Sequence, residues 1–600
     1  MDQAEQKEGS ADQSPENDGV LPSPERRQFL GAASATLGVM AFGGLAACAV
    51  QSNRVYAATC ANTTASTRYN LPMNVRTTID ETVVPVPVPV GAPKVLPNEV
   101  AKFAPNGYGA WKKGTGLALE KRWDLLPKEY PSEAGKVTRV ASLVRFFSMS
   151  DIHITDFQSP AQTINFGMEA QPGMSSAYSP VIPYTTHVLD AAIQTVNALH
   201  KKDSFDFGLF LGDAINNCQH NELRWYVDLI DGGDINPNSD TKSKASTSFA
   251  REYNAAGLDK SIPWYQVLGN HDHFWSGVEI PNDYIKEAMV GENILNVGDV
   301  VRTNDLNSRG FYMGVVDASS EDAVVVNYGP VDHYPSQPKL TANPHRFCLS
   351  RNQWIAEFFN TNSNPVGHGF SQENVRTGFA CYSFEPKKNL PLKVIVLDDT
   401  NGDNSKQGNG ALGALDPERF IWLVSELDKG QAESKLMIVA AHVPIGVSVP
   451  QFSMWDGASS PKENDLIAKL HTYPNLILWV AGHRHYNTVT PMPSPDPSRP
   501  ELGFWGVETA SLRDFPQQFR CFDIVLNDDK TLSIFAINVD PAITPGSPAA
   551  KSRSYGIATA SIFNSWPTNP PTGAYNTELV VKLTTEMQAK LRLSGPAISS

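Results

Sequence analysis

Gly269, Asn270, His271, Asp272 and His273 place an amide, two imidazoles and a carboxylate in five consecutive residues, directly after the apolar run Ile262 to Leu268. These groups bind cations and move protons near neutral pH. Four other places repeat the arrangement. Val137 to Met149 runs into Asp151 and His153, Phe205 to Leu211 into Asp213, Lys435 to Ala441 into His442, and Leu476 to Ala481 into His483 and His485. One such pair is bland, but five in succession, each after an apolar run, are hard to obtain by chance. Mixed carboxylate, imidazole and amide donors suit Mn, Fe, Co or Zn rather than calcium. Asp151, His153, Asp213, Asn270, His442, His483 and His485 exceed what one tetrahedral ion accepts, so two divalent or mixed-valence ions are expected.

The elements that must position these residues are strands alternating with helices. Apolar residues at helical spacing over Thr185 to Leu199 (Val188, Leu189, Ala192, Val196, Leu199) separate the strands ending at Asp151 and Asp213. Helices over Glu222 to Ile230, Asp416 to Leu427 and Glu463 to Leu470 continue the rhythm, and Leu392 to Leu397 is a further strand. This is an α/β class, in which ligands gather at the carboxyl ends of strands. Gly269 is expected to supply a sharp turn, and strand alternation to put Asp151 and His153 on one face. Gly503 to Val507, Phe519 to Leu526 and Leu532 to Val539 suggest an antiparallel closing region. Val83 to Pro89 reads as polyproline, and Thr577 to Leu591 as a helix without an assigned role.

Composition narrows the classes. Six hundred residues with 41% hydrophobic and 19% charged side chains bury a large core, and a net charge of -14 argues against a nucleic-acid backbone binder. Arg26 and Arg27 precede a charge-free, Ala- and Gly-rich run from Gln28 to Asn53, which resembles a twin-arginine export signal. An uncleaved membrane anchor is the competing reading. Leu45, Ala46, Ala47 and Cys48 resemble a lipobox, which would lipidate Cys48 and anchor the chain; simple cleavage is the alternative. Cys60, Cys218, Cys348, Cys381 and Cys521 are too scattered for a Cys-x-x-Cys metal site but leave room for one or two bridges.

The order Asp-x-His, Gly-Asp, Gly-Asn-His-Asp, His, Gly-His-x-His resembles the calcineurin-like metallophosphoesterase superfamily over roughly residues 140 to 540, and with the export signal and long inserts its bacterial twin-arginine-exported group. That resemblance implies a two-sheet α/β sandwich flanked by helices. It implies Asp151, His153 and His485 on one metal, Asn270, His442 and His483 on the other, and Asp213 bridging. It makes His271 the proton donor to the leaving group and Asp272 the residue that orients it. Two cations about 3.5 Å apart would turn a bridging water into the attacking hydroxide. The stretch Ala214, Ile215, Asn216, Asn217 lacks the Tyr ligand of purple acid phosphatases, which argues against that branch. The expected organisation is an export signal (1–50), a linker and lead-in (51–136), a catalytic domain (137–540) with inserts near 156–184, 231–260 and 274–390, and a C-terminal extension (541–600). The expected partners are a phosphomono- or phosphodiester substrate and the twin-arginine machinery, with a periplasmic or cell-surface location. A non-catalytic binding or scaffold lipoprotein on a degenerate phosphoesterase fold is the alternative. Arg513 and Arg520 are candidates for a phosphate clamp, with a solvated surface role as the rival, and Arg484 reads as structural.

Overall fold

Leu392–Val396 and Leu436–Ala440 are buried throughout, and apolar but for Lys393, because both faces of each strand are covered. Alternate side chains serve different layers. Ile438 and Ala440 join a core shared with a second sheet, whereas Met437 and Val439 pack with Leu423, Leu427, Leu466 and Leu470 of two helices. The computed structural model describes residues 67–70, 75–130, 136–168, 174–242, 245–298, 309–406, 409–449, 452–565 and 572–594. The export signal, Arg26, Arg27, Cys48 and Cys60 lie outside the described residues.

In chain order the framework is β1 (Glu120–Arg122), β2 (Arg139–Met149), α1 (Thr185–His200), β3 (Phe207–Phe210), α2 (His220–Asp231), β4 (Trp264–Gln266), β5 (Tyr382–Phe384) and β6 (Leu392–Val396). It continues with α3 (Pro417–Ala432), β7 (Leu436–Ala440), α4 (Glu463–Leu470), β8 (Leu476–Ala481), β9 (Thr488–Met492) and β10 (Phe504–Glu508). It closes with β11 (Phe519–Asn527), β12 (Thr531–Val539), α5 (Pro548–Ile562), β13 (Thr577–Lys582) and α6 (Thr585–Ser594). One sheet has the order β1-β13-β12-β11-β2-β3-β4 and the other β5-β6-β7-β8-β10-β9. The pairs β2–β3, β3–β4, β6–β7, β7–β8 and β8–β10 are parallel, so these strands finish at the same ends of their sheets. The fold is therefore the expected mixed α/β arrangement of sheets flanked by helices. Phe146 sits at its centre, stacked on Phe207 at 4.8 Å and Phe522 at 4.6 Å from the two strands beside β2.

Two local readings change, and the C-terminal extension gains a helix. Thr577 to Lys582 is a strand antiparallel to β12, and helix begins only at Thr585. Leu579 and Val581 are fully buried there, so tertiary burial overrides the helical propensity of the sequence that follows. Val83 to Pro85 is an edge strand paired with Trp111 to Lys113 rather than free polyproline. Proline is tolerated at such an edge because no ladder donor is required of it there. The Pro- and Ala-rich stretch after Asp540 contains α5, begun by a Ser547 cap that accepts from Ala550 N–H, with Pro548 at its first turn.

Candidate metal centre

Six of these strands, β2, β3, β4, β7, β8 and β10, deliver the chain past their carboxyl ends into one cluster. Asp151 and His153 follow β2, both with left-handed backbone at φ 51° and 49°. They converge through consecutive left-handed turns, and not through the extended alternation that the sequence suggested. Asp213 (φ 51°), His483 (φ 76°) and His485 (φ 65°) share this conformation. Each costs a non-glycine residue about 1–3 kcal/mol, and such residues concentrate at functional sites. The neighbouring chain enforces it: Ile152 and His153 N–H both donate to the Asp213 carbonyl, and Ser511 Oγ donates to the Asp151 carbonyl. Gly269 contributes closeness rather than turning freedom. Its backbone is not left-handed, but a Cβ there would sit 2.1 Å from Asp213 N and 2.3 Å from its Oδ1.

Two donor groups result. In the first, His485 Nε2 lies 3.4 Å from Asp151 Oδ1 and 3.2 Å from His153 Nε2. In the second, His442 Nε2 lies 2.9 Å from Asn270 Oδ1 and 3.2 Å from His483 Nδ1. Asp213 joins them: its Oδ2 is 3.6 Å from His153 Nε2 and 3.3 Å from His442 Nε2, while its Oδ1 accepts the His271 N–H at 2.8 Å. All of these residues except His483 and His485 are fully or almost fully buried.

The facing atoms are acceptors. His442 Nδ1 donates to the Leu211 carbonyl, which leaves a lone pair on Nε2, and Asn270 Nδ2 donates to Gly277, which turns its Oδ1 inward. His485 Nδ1 donates to Asp514 Oδ2 at 2.6 Å, so its Nε2 lone pair faces the Asp151 carboxylate. Buried acceptors that confront one another require a cation between them. Without metal, protons fill that role. Burial disfavours charge on His442, yet Asp213, then Asp151 and the Leu211 carbonyl, push its pKa up to about 10. Burial opposes charge on His485 as well, and Asp151 and Asp514 outweigh it, again to about 10. His483 is pulled down to about 3 by burial and by His442. Burial favours the neutral form of Asp213, but His442 and His271 hold it well below the usual carboxylate range. Metal ions can take the place of those protons, so the donor set fits two cations.

His271 Nδ1 donates to the Asn216 carbonyl at 2.8 Å, and its ring centroid lies 4.4 Å from that of His153. Its other nitrogen therefore belongs to the cluster: His153, Asp213 and His271 bring donor atoms within 4.8 Å of one another. Asp272 is a correction. Its carboxylate accepts from the Gly269 N–H at 2.8 Å and the Ile215 N–H at 3.3 Å, so it braces the turn, and the Asn216 carbonyl orients the His271 ring. Successive residues diverge here because the turn sends the carboxylate back under its own backbone.

His273 also leaves the site, with Nε2 3.0 Å from Thr400 Oγ1 and Nδ1 3.5 Å from Asp403. Arg484 pairs with the buried Glu508, consistent with a structural role. Neither Arg513 nor Arg520 is solvated. Arg520 is spent on the carbonyls of Tyr575, Glu508 and Ala574 and on Asn487. Arg513 donates through Nη2 to the Ser175 and Ser176 carbonyls, and its buried Nε and Nη1 have no hydrogen-bond partner. Nη1 lies 4.0 Å from the same Asp514 oxygen that receives His485. Asp514 is not among the sequence-based candidates, although, next to Arg513, it follows the strand β10 within six residues of Glu508 and makes a sixth strand end.

A family model described as calcineurin-like phosphoesterase matches residues 144–395, a span that holds Asp151, His153, Asp213, Asn270 and His271 and ends before His442. Among solved structures, a dimetal phosphatase from Danio rerio aligns at 11% identity over 67% of this chain and 99% of its own, with a TM-score of 0.34. A Staphylococcus aureus protein described as a 5′-nucleotidase, solved with α-ketoglutarate, aligns at 12% identity over 68% of this chain and 57% of its own, with a TM-score of 0.28. No curated protein matches the sequence.

Proposed function

We propose that this chain, which matches a calcineurin-like phosphoesterase model over residues 144–395, is an exported hydrolase of phosphomono- or phosphodiesters working with two metal ions. Asp151, His153 and His485 would hold one ion, and Asn270, His442 and His483 the other, with Mn, Fe, Zn and Co as candidates. The observation that carries this reading is Asp213, one oxygen of which serves both groups while the other is tied to the backbone of His271. Such a pair of bound ions supplies Lewis-acid charge and an acidified water.

The part played by the chain is positioning and proton delivery. His271, anchored at Nδ1, protonates the departing oxygen through its other nitrogen. Arg513, whose Nη2 is held by the Ser175 and Ser176 carbonyls, offers its positive charge and the unpartnered N–H groups at Nε and Nη1 to phosphoryl oxygens. Asp514 is a positioning residue that fixes the tautomer of His485.

Stripping the full-length protein with a chelator should abolish hydrolysis of aryl phosphate mono- and diesters, and reloading with one of the candidate ions should restore it. Two bound ions with no turnover of any ester would instead favour the binding or scaffold reading. In the same assay Arg513→Gln is expected to raise KM by about 10- to 100-fold, the worth of one or two charge-assisted hydrogen bonds, at unchanged metal content. An unaltered KM would remove Arg513 from the substrate site. Export rests on Arg26 and Arg27: replacing both with Lys is expected to leave the protein inside the cell, and continued secretion of that variant would refute it.

A further inference from the structure

Cys218 and Cys348 lie 130 residues apart in sequence, yet their sulfurs approach to 3.4 Å. Their backbones are registered on each other: Gln219 bridges Cys348 in antiparallel fashion, and Leu349 N–H donates to the Cys218 carbonyl at 2.8 Å. We propose that Cys218 and Cys348 form a disulfide that fastens the long insert to the loop holding His271. Reaching a bond of about 2.05 Å requires roughly 0.7 Å of travel from each sulfur, within side-chain torsional freedom. The other cysteines among the described residues are placed differently. Cys521 is buried in the main core, and Cys381 accepts the Asp398 N–H through its sulfur.

The loop in question is close to the chemistry. Cys218 N–H donates to the His271 carbonyl at 3.1 Å, and two residues earlier the Asn216 carbonyl holds the His271 ring. Cys348 lies on the insert two residues after Arg346, whose Nε pairs with the buried Asp156 at 2.8 Å. A bond between the two sulfurs would tie both backbone supports of His271 to the insert covalently.

The two thiols are suited to successive roles. Cys348 is partly exposed, and the Cys218 S–H and, against burial, the Lys286 charge favour its thiolate. Cys218 is fully buried and kept protonated by burial and by its neighbour. Cys348 therefore attacks a disulfide-bearing oxidant, forming a mixed disulfide and expelling one thiolate. Cys218 then loses its proton and attacks Cys348 Sγ, expelling the second. Two cysteine thiols are oxidised while one oxidant disulfide is reduced to two thiols, so the exchange balances. Neither metal nor substrate enters it.

Full-length protein, first reduced, would be incubated with oxidised glutathione, unfolded, alkylated, digested and mapped by mass spectrometry. The expected result is one cross-linked peptide pair carrying Cys218 and Cys348 and lighter by two hydrogens, with Cys381 and Cys521 alkylated. Oxidised wild type should melt about 2–4 °C above reduced wild type, as expected for cross-linking a long loop in a chain of this size. Cys348→Ser should lose both the cross-link and that redox-dependent shift. Recovery of Cys218 and Cys348 both alkylated, Cys348 carrying only glutathione, or a bridge from either to another cysteine would overturn the proposal.

Discussion

Asp213→Asn is expected to empty both metal positions and to slow ester hydrolysis by about a thousandfold or more, the loss typical of removing a fixed charge from a reaction centre. The side chain stays the same size and the backbone at φ 51° accepts Asn, which tolerates left-handed geometry. What the amide lacks is a second acceptor. In the wild type Oδ1 takes the His271 N–H while Oδ2 faces His153 and His442. An asparagine that keeps the first bond turns its NH2 towards both donor groups, and one that faces its oxygen inward leaves the His271 N–H buried beside another donor. Either rotamer removes the charge shared by the two positions. Elemental analysis of the purified variant with turnover of an aryl phosphate checks this. Retention of two ions at near wild-type rate would show that Asp213 is a structural carboxylate.

Much of the cluster could be read from one repeated feature, an apolar strand that stops at a metal-competent side chain. That feature picked out Asp151, His153, Asp213, Asn270, His442, His483 and His485, which the fold gathers into one cluster, because these strands run buried and mostly apolar into their carboxyl ends and the polar residues that follow mark the rim. The local geometry was not legible. Left-handed backbone at five of those positions depends on contacts such as Ile152 and His153 with the Asp213 carbonyl, between segments about sixty residues apart. Adjacency misled for Asp272, which follows His271 directly yet turns its carboxylate to Gly269 and Ile215. Likewise β13 pairs with β12 from about 45 residues further along the chain, a long-range choice that propensity in Thr577 to Leu591 does not encode. Asp514 was within reach, since the same rule applied to the strand before it would have led to the His485 partner.

Asn270 and His271 are neighbours whose removal should have opposite signatures. Asn270 Oδ1 faces His442 Nε2 and His483 Nδ1, and its Nδ2 donates to Gly277. Asn270→Ala deletes one neutral donor from the second group, so weaker occupancy of one position is expected while Asp151, His153 and His485 keep the other. His271→Ala leaves every atom of both donor groups in place. It also preserves the backbone bonds from the His271 N–H to Asp213 and from the Cys218 N–H to the His271 carbonyl. Two ions should remain, and kcat should fall by about a hundred- to ten-thousandfold, the range for losing a general acid. The loss should grow with the basicity of the departing oxygen. A nitrophenolate leaves with little help, whereas an alkoxide needs the proton that His271 supplies, so the variant's rates should depend more steeply on leaving-group pKa than the wild type's. Equal metal loss in the two variants, or an unchanged leaving-group dependence in His271→Ala, would place His271 among the ligands instead. The approach of its donor atoms to those of His153 and Asp213 makes that outcome a real competitor, because the same proximity serves a ligand and an acid alike. The metal count and the leaving-group slope together separate the two roles.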